Sequence, residues 1–328
     1  MRTPQTPIPS GFTEASTATA ALAGIDLSGK TAIVSGGYSG IGVETTRALR
    51  AAGARVVVPA RDLAKATRTL AGIDADIRPM DLADPASIDT FAGRFLAEDA
   101  ALHILIGSAG IMACPLSRDA RGYEMQFATN HLGHFQLAAR LWPALRRANG
   151  ARVVSVSSRG HRFAAVDFDD PHFDRRDYDP WVAYGQSKTA NVLFAVGLDR
   201  RGEEHGIRAF AVHPGAIVTD LARHMSQDAL RSMGAIDEEG RAVRDLSKGF
   251  KNVEQGASTS VWAATSPRLD GMGGVYCEDN DISPLLSPAA VPTEGLSQER
   301  GVLPWAIDID ASERLWTLSE SQTGVTFA

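Results

Sequence analysis

The sequence predicts one doubly wound α/β domain, with a parallel sheet of about seven strands flanked by helices on both faces. Three observations carry this. Short apolar runs rich in β-branched residues alternate with stretches of helical period from residue 31 to residue 277, and no linker separates them. The first of these runs opens into a glycine-rich turn that leads straight into a helix. Of the 328 residues 44% are apolar, ample material for one large core.

The elements can be justified in order. Residues 1–24 are rich in Pro, Thr and Ala without a period, which predicts a disordered or loosely attached tail; an arm lying on a neighbouring subunit is the alternative. The domain proper spans 25–277. Thr31 to Ser35 is apolar without alternation, as a strand covered on both faces must be, and the turn Gly36 to Gly42 feeds a helix from Val43 to Ala52. A strand at Arg55 to Pro59 precedes a helix from Asp62 to Ala71, and a third strand is expected at Asp76 to Met80, before a helix from Ala86 to Ala97. Ile104 to Ser108 reads as strand four, followed by a long helix from about Tyr123 to Ala148. Strand five, Arg152 to Ser157, leads through an insertion bearing Asp169, Asp170, Asp174 and Asp177 to a helix containing Tyr184 and Lys188. Strand six is Arg208 to His213. The lid-like segment Ala216 to Phe250, a helix from Glu254 to Thr265 and a strand at Gly274 to Cys277 complete the domain. The extension 278–328 carries Trp305, Leu315 and Trp316, which either close over a pocket or pack on the domain or a partner subunit.

Charge and composition exclude several classes. A net charge of −6 with interspersed signs supplies no basic stripe for nucleic acid. Cys114 and Cys277 are too few for a disulfide framework or a metal set, and suit packed thiols in a reducing compartment. No apolar run reaches membrane-spanning length and no basic-then-apolar leader is visible, so a soluble cytoplasmic protein without a membrane span is expected.

The chemistry concentrates in two places. Tyr184 and Lys188 stand at i and i+4, on one helix face, and a phenol beside a fixed positive charge ionises more easily than one in water. Such a phenol exchanges protons usefully near neutral pH; the plain alternative is an exposed helix pair. In the turn, Gly36, Gly40 and Gly42 allow close backbone approach to an anion at a helix N-terminus, whereas an ordinary tight βα turn would use them only for curvature.

With these segments the chain resembles the short-chain dehydrogenase/reductase family from about Gly29 to Cys277. The family's Thr-Gly-x-x-x-Gly-x-Gly turn matches Ser35-Gly36-Gly37-Tyr38-Ser39-Gly40-Ile41-Gly42, with Ser for Thr, and its Asn-Asn-Ala-Gly motif appears as Gly107-Ser108-Ala109-Gly110, a larger departure. Asn130 to Phe135, the linker Asp167 to Asp170, and Ala183 to Phe194 are similar to the retinol-dehydrogenase-like and WW-domain-oxidoreductase-like group, whose name is not a statement of substrate.

The resemblance implies a Rossmann-type sheet and an oxidoreductase. Tyr184 would be the general acid or base, Ser158 would hold the substrate oxygen, Lys188 would hold the nicotinamide ribose and lower the phenol's pKa, and Asn130 would hold a water linking Lys188 to solvent. Cofactor contacts are expected from Ser35, Gly36, Tyr38, Ser39, Gly40, Ile41 and Gly42, from Asp81 and Leu82 after strand three, and from Ser108, Ala109 and Gly110. Tyr184 and Lys188, and Pro214, Gly215, Ile217 and Thr219 after strand six, would complete them. The plain alternatives are that Ser158 caps its turn, Asn130 satisfies backbone groups and Asp81 caps a helix or turn. His131, His134 and His161 lack a ligand pattern, and no metal is expected.

At the end of strand two Ala60 stands where an NAD-binding acid would sit and Arg61 follows, which favours NADP(H), with NAD(H) the alternative. Leu221, Met225, Leu230, Met233 and Ile236 suit a small hydrophobic ketone, aldehyde or alcohol, or else seat a surface helix. The resemblance also implies self-association through long apolar helices, as a homodimer or homotetramer. An epimerase of the same fold, with tightly held NAD, and a non-catalytic cofactor sensor are the rival functions.

Overall fold

The computed structural model describes residues 3–287 and 299–327. In chain order the elements are α1 (Ala18–Ala21), β1 (Thr31–Ser35), α2 (Ile41–Ala51), β2 (Arg55–Ala60), α3 (Leu63–Thr69), β3 (Asp76–Pro79), α4 (Pro85–Leu96), β4 (Ile104–Gly107), α5 (Met125–Phe127), a π turn (Ala128–Leu132), α6 (Gly133–Arg147), β5 (Arg152–Val156), α7 (Pro180–Gly202), β6 (Arg208–His213), α8 (Gln227–Ser232), α9 (Val253–Thr265), β7 (Val275–Glu278), β8 (Asp281–Ile282) and α10 (Ile309–Thr323). Many helices start where the sequence supplies a cap. Asp62, Asp84, Asp179 and Asp308 each accept a first-turn N–H, and Asn252 forms a reciprocal capping box with Gln255.

The strands form one sheet in the order β3-β2-β1-β4-β5-β6-β7-β8. Seven run parallel, and the expected sheet gains an eighth strand, β8, antiparallel to β7. Chain order reverses between β1 and β4, so their carboxyl ends diverge into the crevice where ligands of such sheets bind. One face of the sheet packs on α4, α6, α7 and α10 around Phe91, Phe135 and Leu193; the other packs on α1, α2 and α9 around Leu49, Val261 and Trp262. Among the described residues no helix is long and apolar enough to cross a membrane.

Two expectations change, and of the alternatives for the extension one is found. The N-terminal segment is not loose: of 1–24, residues 3–24 are described, with Gln5 and Ile8 on the chain's own sheet edge and α1 on the sheet face beside α2 and α9. Gln5 pairs with the Tyr276 backbone through both its amide groups, Tyr276 N–H donating to Oε1 at 2.9 Å and Nε2 donating to Tyr276 O at 2.8 Å. Ile8 N–H donates to Asp281 Oδ1 at 2.9 Å, and the buried Ala18, Ala21 and Leu22 join the core. A segment that docks through side-chain bonds on a sheet edge needs no period of its own, and it blocks that edge from other chains. The long helix from Tyr123 is interrupted by the π turn, which bulges where Asn130 sits. In the extension α10 packs on α7 of the same chain, with Trp316 stacked on Phe194 and edge-on to Phe135, the domain-packing alternative for this part of it.

Candidate active site

The glycine-rich turn is shaped by close approach. Gly36 has φ +70°, and a Cβ there would stand 2.8 Å from the Ala109 backbone; one at Gly42 would stand 2.1 Å from Gly36 O. No side chain caps the N-terminus of α2 at Gly40. A bare helix end behind a glycine-rich turn, at the sheet's reversal point, fits a dinucleotide pyrophosphate. Ser35 ties the turn to the end of β4, its Oγ accepting from Ser108 N at 3.0 Å and Ala109 N at 3.2 Å. That hydroxyl donates in turn to His134 Nε2 at 2.7 Å, because His134 Nδ1 donates to Asn130 O at 2.9 Å. Burial holds His134 neutral, its pKa pushed down to about 4. A Cβ at Gly107 would lie 3.1 Å from the same imidazole, so the absence of an asparagine there matches the presence of His134.

The other turn residues divide between crevice and core. Tyr38 packs on the core and Ser39 Oγ donates to Asp220 Oδ2 at 3.3 Å. Ile41 and Ile217 both close on Gly256 of α9, and Leu82 is buried. Thr219 lies over Gly40, and Gly215, at φ +104°, lets the Lys251 side chain cross it. Pro214 is half-buried. Asp81 Oδ1 accepts from Ala83 N at 2.9 Å, the turn-capping contact. Arg61 is exposed beyond β2, while Asp62 is engaged at the start of α3, accepting from Lys65 N at 2.8 Å.

On the opposite wall α7 presents Tyr184 and Lys188, 4% exposed each. The Tyr184 ring and Ser158 Oγ lie side by side against Gly160, and Ser158 Oγ accepts from Gly160 N at 3.0 Å. Lys188 Nζ lies 5.6 Å from the centre of the Tyr184 ring and donates to Val156 O at 3.1 Å rather than to the phenol. The expected lowering of the phenol's pKa is therefore reversed: burial pushes Tyr184 up to about 12 against the lowering effect of Ser158, and pushes Lys188 down to about 8. Asn130 Nδ2 donates to Ile111 O and to Ser187 Oγ, both at 2.9 Å, and its Oδ1 accepts from Ile111 N at 2.9 Å. That side chain bolts the π turn to α7 and to the loop after β4, leaving one carbonyl lone pair for anything further.

Ser158, Tyr184, Lys188 and Asn130 thus converge at the carboxyl end of the sheet beside the glycine-rich turn. A pairing invisible in the sequence spans this crevice: Lys65 Nζ of α3 meets Asp220 Oδ2 beyond β6 at 2.7 Å. Neither residue belongs to a motif, and only the fold brings them together.

A family model described as short chain dehydrogenase matches residues 30–169. A probable oxidoreductase of Streptomyces lividans is 46% identical over 89% of this chain and 97% of its own length. The chain belongs to the short-chain dehydrogenase/reductase family. Within the family it falls in the retinol-dehydrogenase-like group, retinol dehydrogenase 12 of Mus musculus being 38% identical over 78% of this chain and 79% of the mouse protein. Among solved structures, that of the Pseudomonas aeruginosa RhlG/NADP active-site complex superposes with a TM-score of 0.60 at 26% identity, covering 77% of this chain and 95% of the other. An oxidoreductase of this family is therefore the enzyme class.

Proposed function

We propose that this oxidoreductase uses NADP(H) and acts on a hydrophobic secondary alcohol and its ketone, or on an aldehyde, with Tyr184 as general acid and base. The carrying observation is the Tyr184 ring lying side by side with the Ser158 hydroxyl, near the buried ammonium of Lys188. When bound, the dinucleotide supplies or accepts the hydride. Ser158 hydrogen-bonds the substrate oxygen and fixes it against Tyr184. In the reducing direction Tyr184 gives its proton to that oxygen, and in the oxidising direction takes it back. Lys188, with hydrogen-bonding capacity beyond its Val156 contact, holds the nicotinamide ribose hydroxyls and supplies a positive charge beside the phenolate that forms. Asn130 fixes the loop after β4 against α7, and its spare lone pair suits the water expected there.

Support for NADP(H) comes from Arg61, free in solvent beyond β2, and from Asp62, whose carboxylate is taken up by the cap of α3. The NADP complex of the RhlG neighbour agrees. The half-buried Leu221, Met225 and Leu230 and the exposed Met233 give the segment beyond β6 an apolar character suited to a hydrophobic substrate, and the retinol named for the mouse relative is an alcohol of that kind. Tyr184→Phe should keep NADPH binding, read by fluorescence, while losing roughly 10² to 10⁴ in turnover of ketones and aldehydes, the usual contribution of a positioned acid. Robust turnover by the folded variant removes Tyr184 from the mechanism, and a kcat/KM favouring NADH over NADPH removes the role given to Arg61.

A further inference from the structure

We propose that Glu278, with the C-terminal segment 299–305, positions Ser158, so that the extension is a working part of the active site; this rests on the role given to Ser158 above. Ser158 stands at the start of a tight turn, and both residues that fix that turn are gripped from behind. Arg159 reaches away from the crevice to the carboxylate of Glu278, at the end of β7, with Nε at 2.7 Å and Nη2 at 2.6 Å from Oε1. Glu278 is fully buried, and its second oxygen accepts from Ser283 Oγ at 3.3 Å and from Gly301 N at 3.2 Å. Arg159 N–H donates to His213 Nδ1 at 3.3 Å, and the far nitrogen of His213 lies 3.9 Å from the same Glu278 oxygen. His213 directly precedes Pro214, so one carboxylate braces the turns at the ends of β5 and β6.

The second grip is His161. Its Nδ1 donates to the carbonyl of Ser158 itself at 2.7 Å, which leaves Nε2 to accept from Leu303 N at 3.3 Å. Trp305 Nε1 donates to His161 O at 3.3 Å, and Arg162 Nη2 donates to Gly301 O at 2.9 Å. Segment 299–305 therefore holds the residue after Ser158 through Glu278 and the carbonyl of Ser158 through His161. Burying an ion pair is seldom a gain in stability over a pair of apolar side chains, because desolvation offsets the attraction. What it supplies is direction: two guanidinium N–H groups converging on Glu278 Oε1 hold Arg159 in one orientation, and with it the turn that carries Ser158.

The test is Glu278→Gln, Arg159→Gln and the double variant, with Tyr184→Phe as control, assayed with NADPH and a C6–C10 aldehyde. Each single variant is expected to lower kcat about 10- to 100-fold, the loss expected of a slightly misplaced catalytic group, while the Kd for NADPH by fluorescence stays within about twofold. The double variant is expected to be no worse than either single one, since the two side chains act as a unit, and having no orphan charge it reports even where a single variant does not fold. A double variant that binds NADPH and turns over at the parent rate overturns the proposal, as does failure of all three to fold, which would make the pair purely structural. Loss of turnover in Tyr184→Phe alongside an unimpaired double variant sinks only the role of Glu278; turnover in Tyr184→Phe sinks the mechanism beneath it.

Discussion

Tyr184 and Lys188 share a helix face closed to water, and that closure sets how each holds its proton. With the phenol pushed up to about 12, Tyr184 stays a proton donor across the neutral range, while Lys188, pushed down to about 8, titrates close to working pH. His134, down at about 4, and His161, at about 3, stay neutral and add no step near pH 7. Below about 8 the ammonium is charged and, in the proposed mechanism, supports the forming phenolate; above it the charge is lost. The reductive kcat/KM should therefore be level from pH 6 to about 7.5 and decline as pH rises through about 8. A profile flat to pH 10 would take the Lys188 charge out of the reaction. The four-residue spacing of Tyr184 and Lys188 is legible in the chain. The direction of the phenol's shift is not, because it depends on how much water the surrounding loops exclude.

The turn from β1 to α2 shows the same division between what neighbours in sequence and neighbours in space decide. Strand, glycines and helix stand in order along the chain, so the cradle can be read without coordinates. Its lock cannot: Ser35 lies far along the chain from Asn130 and His134, and the three are joined by hydrogen bonds of 2.7 Å and 2.9 Å through one imidazole. Gly36→Ala should destabilise the fold by about 1–3 kcal/mol, since it adds both a positive-φ penalty and a contact with Ala109, and should weaken NADPH binding through the shifted turn. Denaturant midpoint and fluorescence titration read the two effects. Unchanged NADPH affinity would separate the turn from the cofactor. The π turn was hidden for a comparable reason: its apolar pattern continues that of α6, and only the bonds from Asn130 to Ile111 and Ser187 show why the helix widens there.

Both ends of the chain return to the domain, and they do so on opposite faces of the sheet. The N-terminal segment covers the β7 edge, while α10 lays Trp316 against Phe135, Phe194 and Phe327, with the Arg201 guanidinium 4.0 Å above its ring. Self-association through this part of α6 and α7 would require α10 to leave. Trp316→Ala should cost about 3–5 kcal/mol by emptying that cluster, and the loosened α10 should raise the apparent mass in light scattering. A variant of parental stability would mean that α10 is not needed to cover α7. Periodicity and turn chemistry were enough to establish the α/β class and the parallel sheet of its core, because each of these is a local pattern, and the resemblance named the residues proposed for the site. Where the two termini dock, which carboxylate braces Ser158 and which way burial moves Tyr184 were decided by the folded chain alone, since each is a sum over groups that meet only when the sheet has closed.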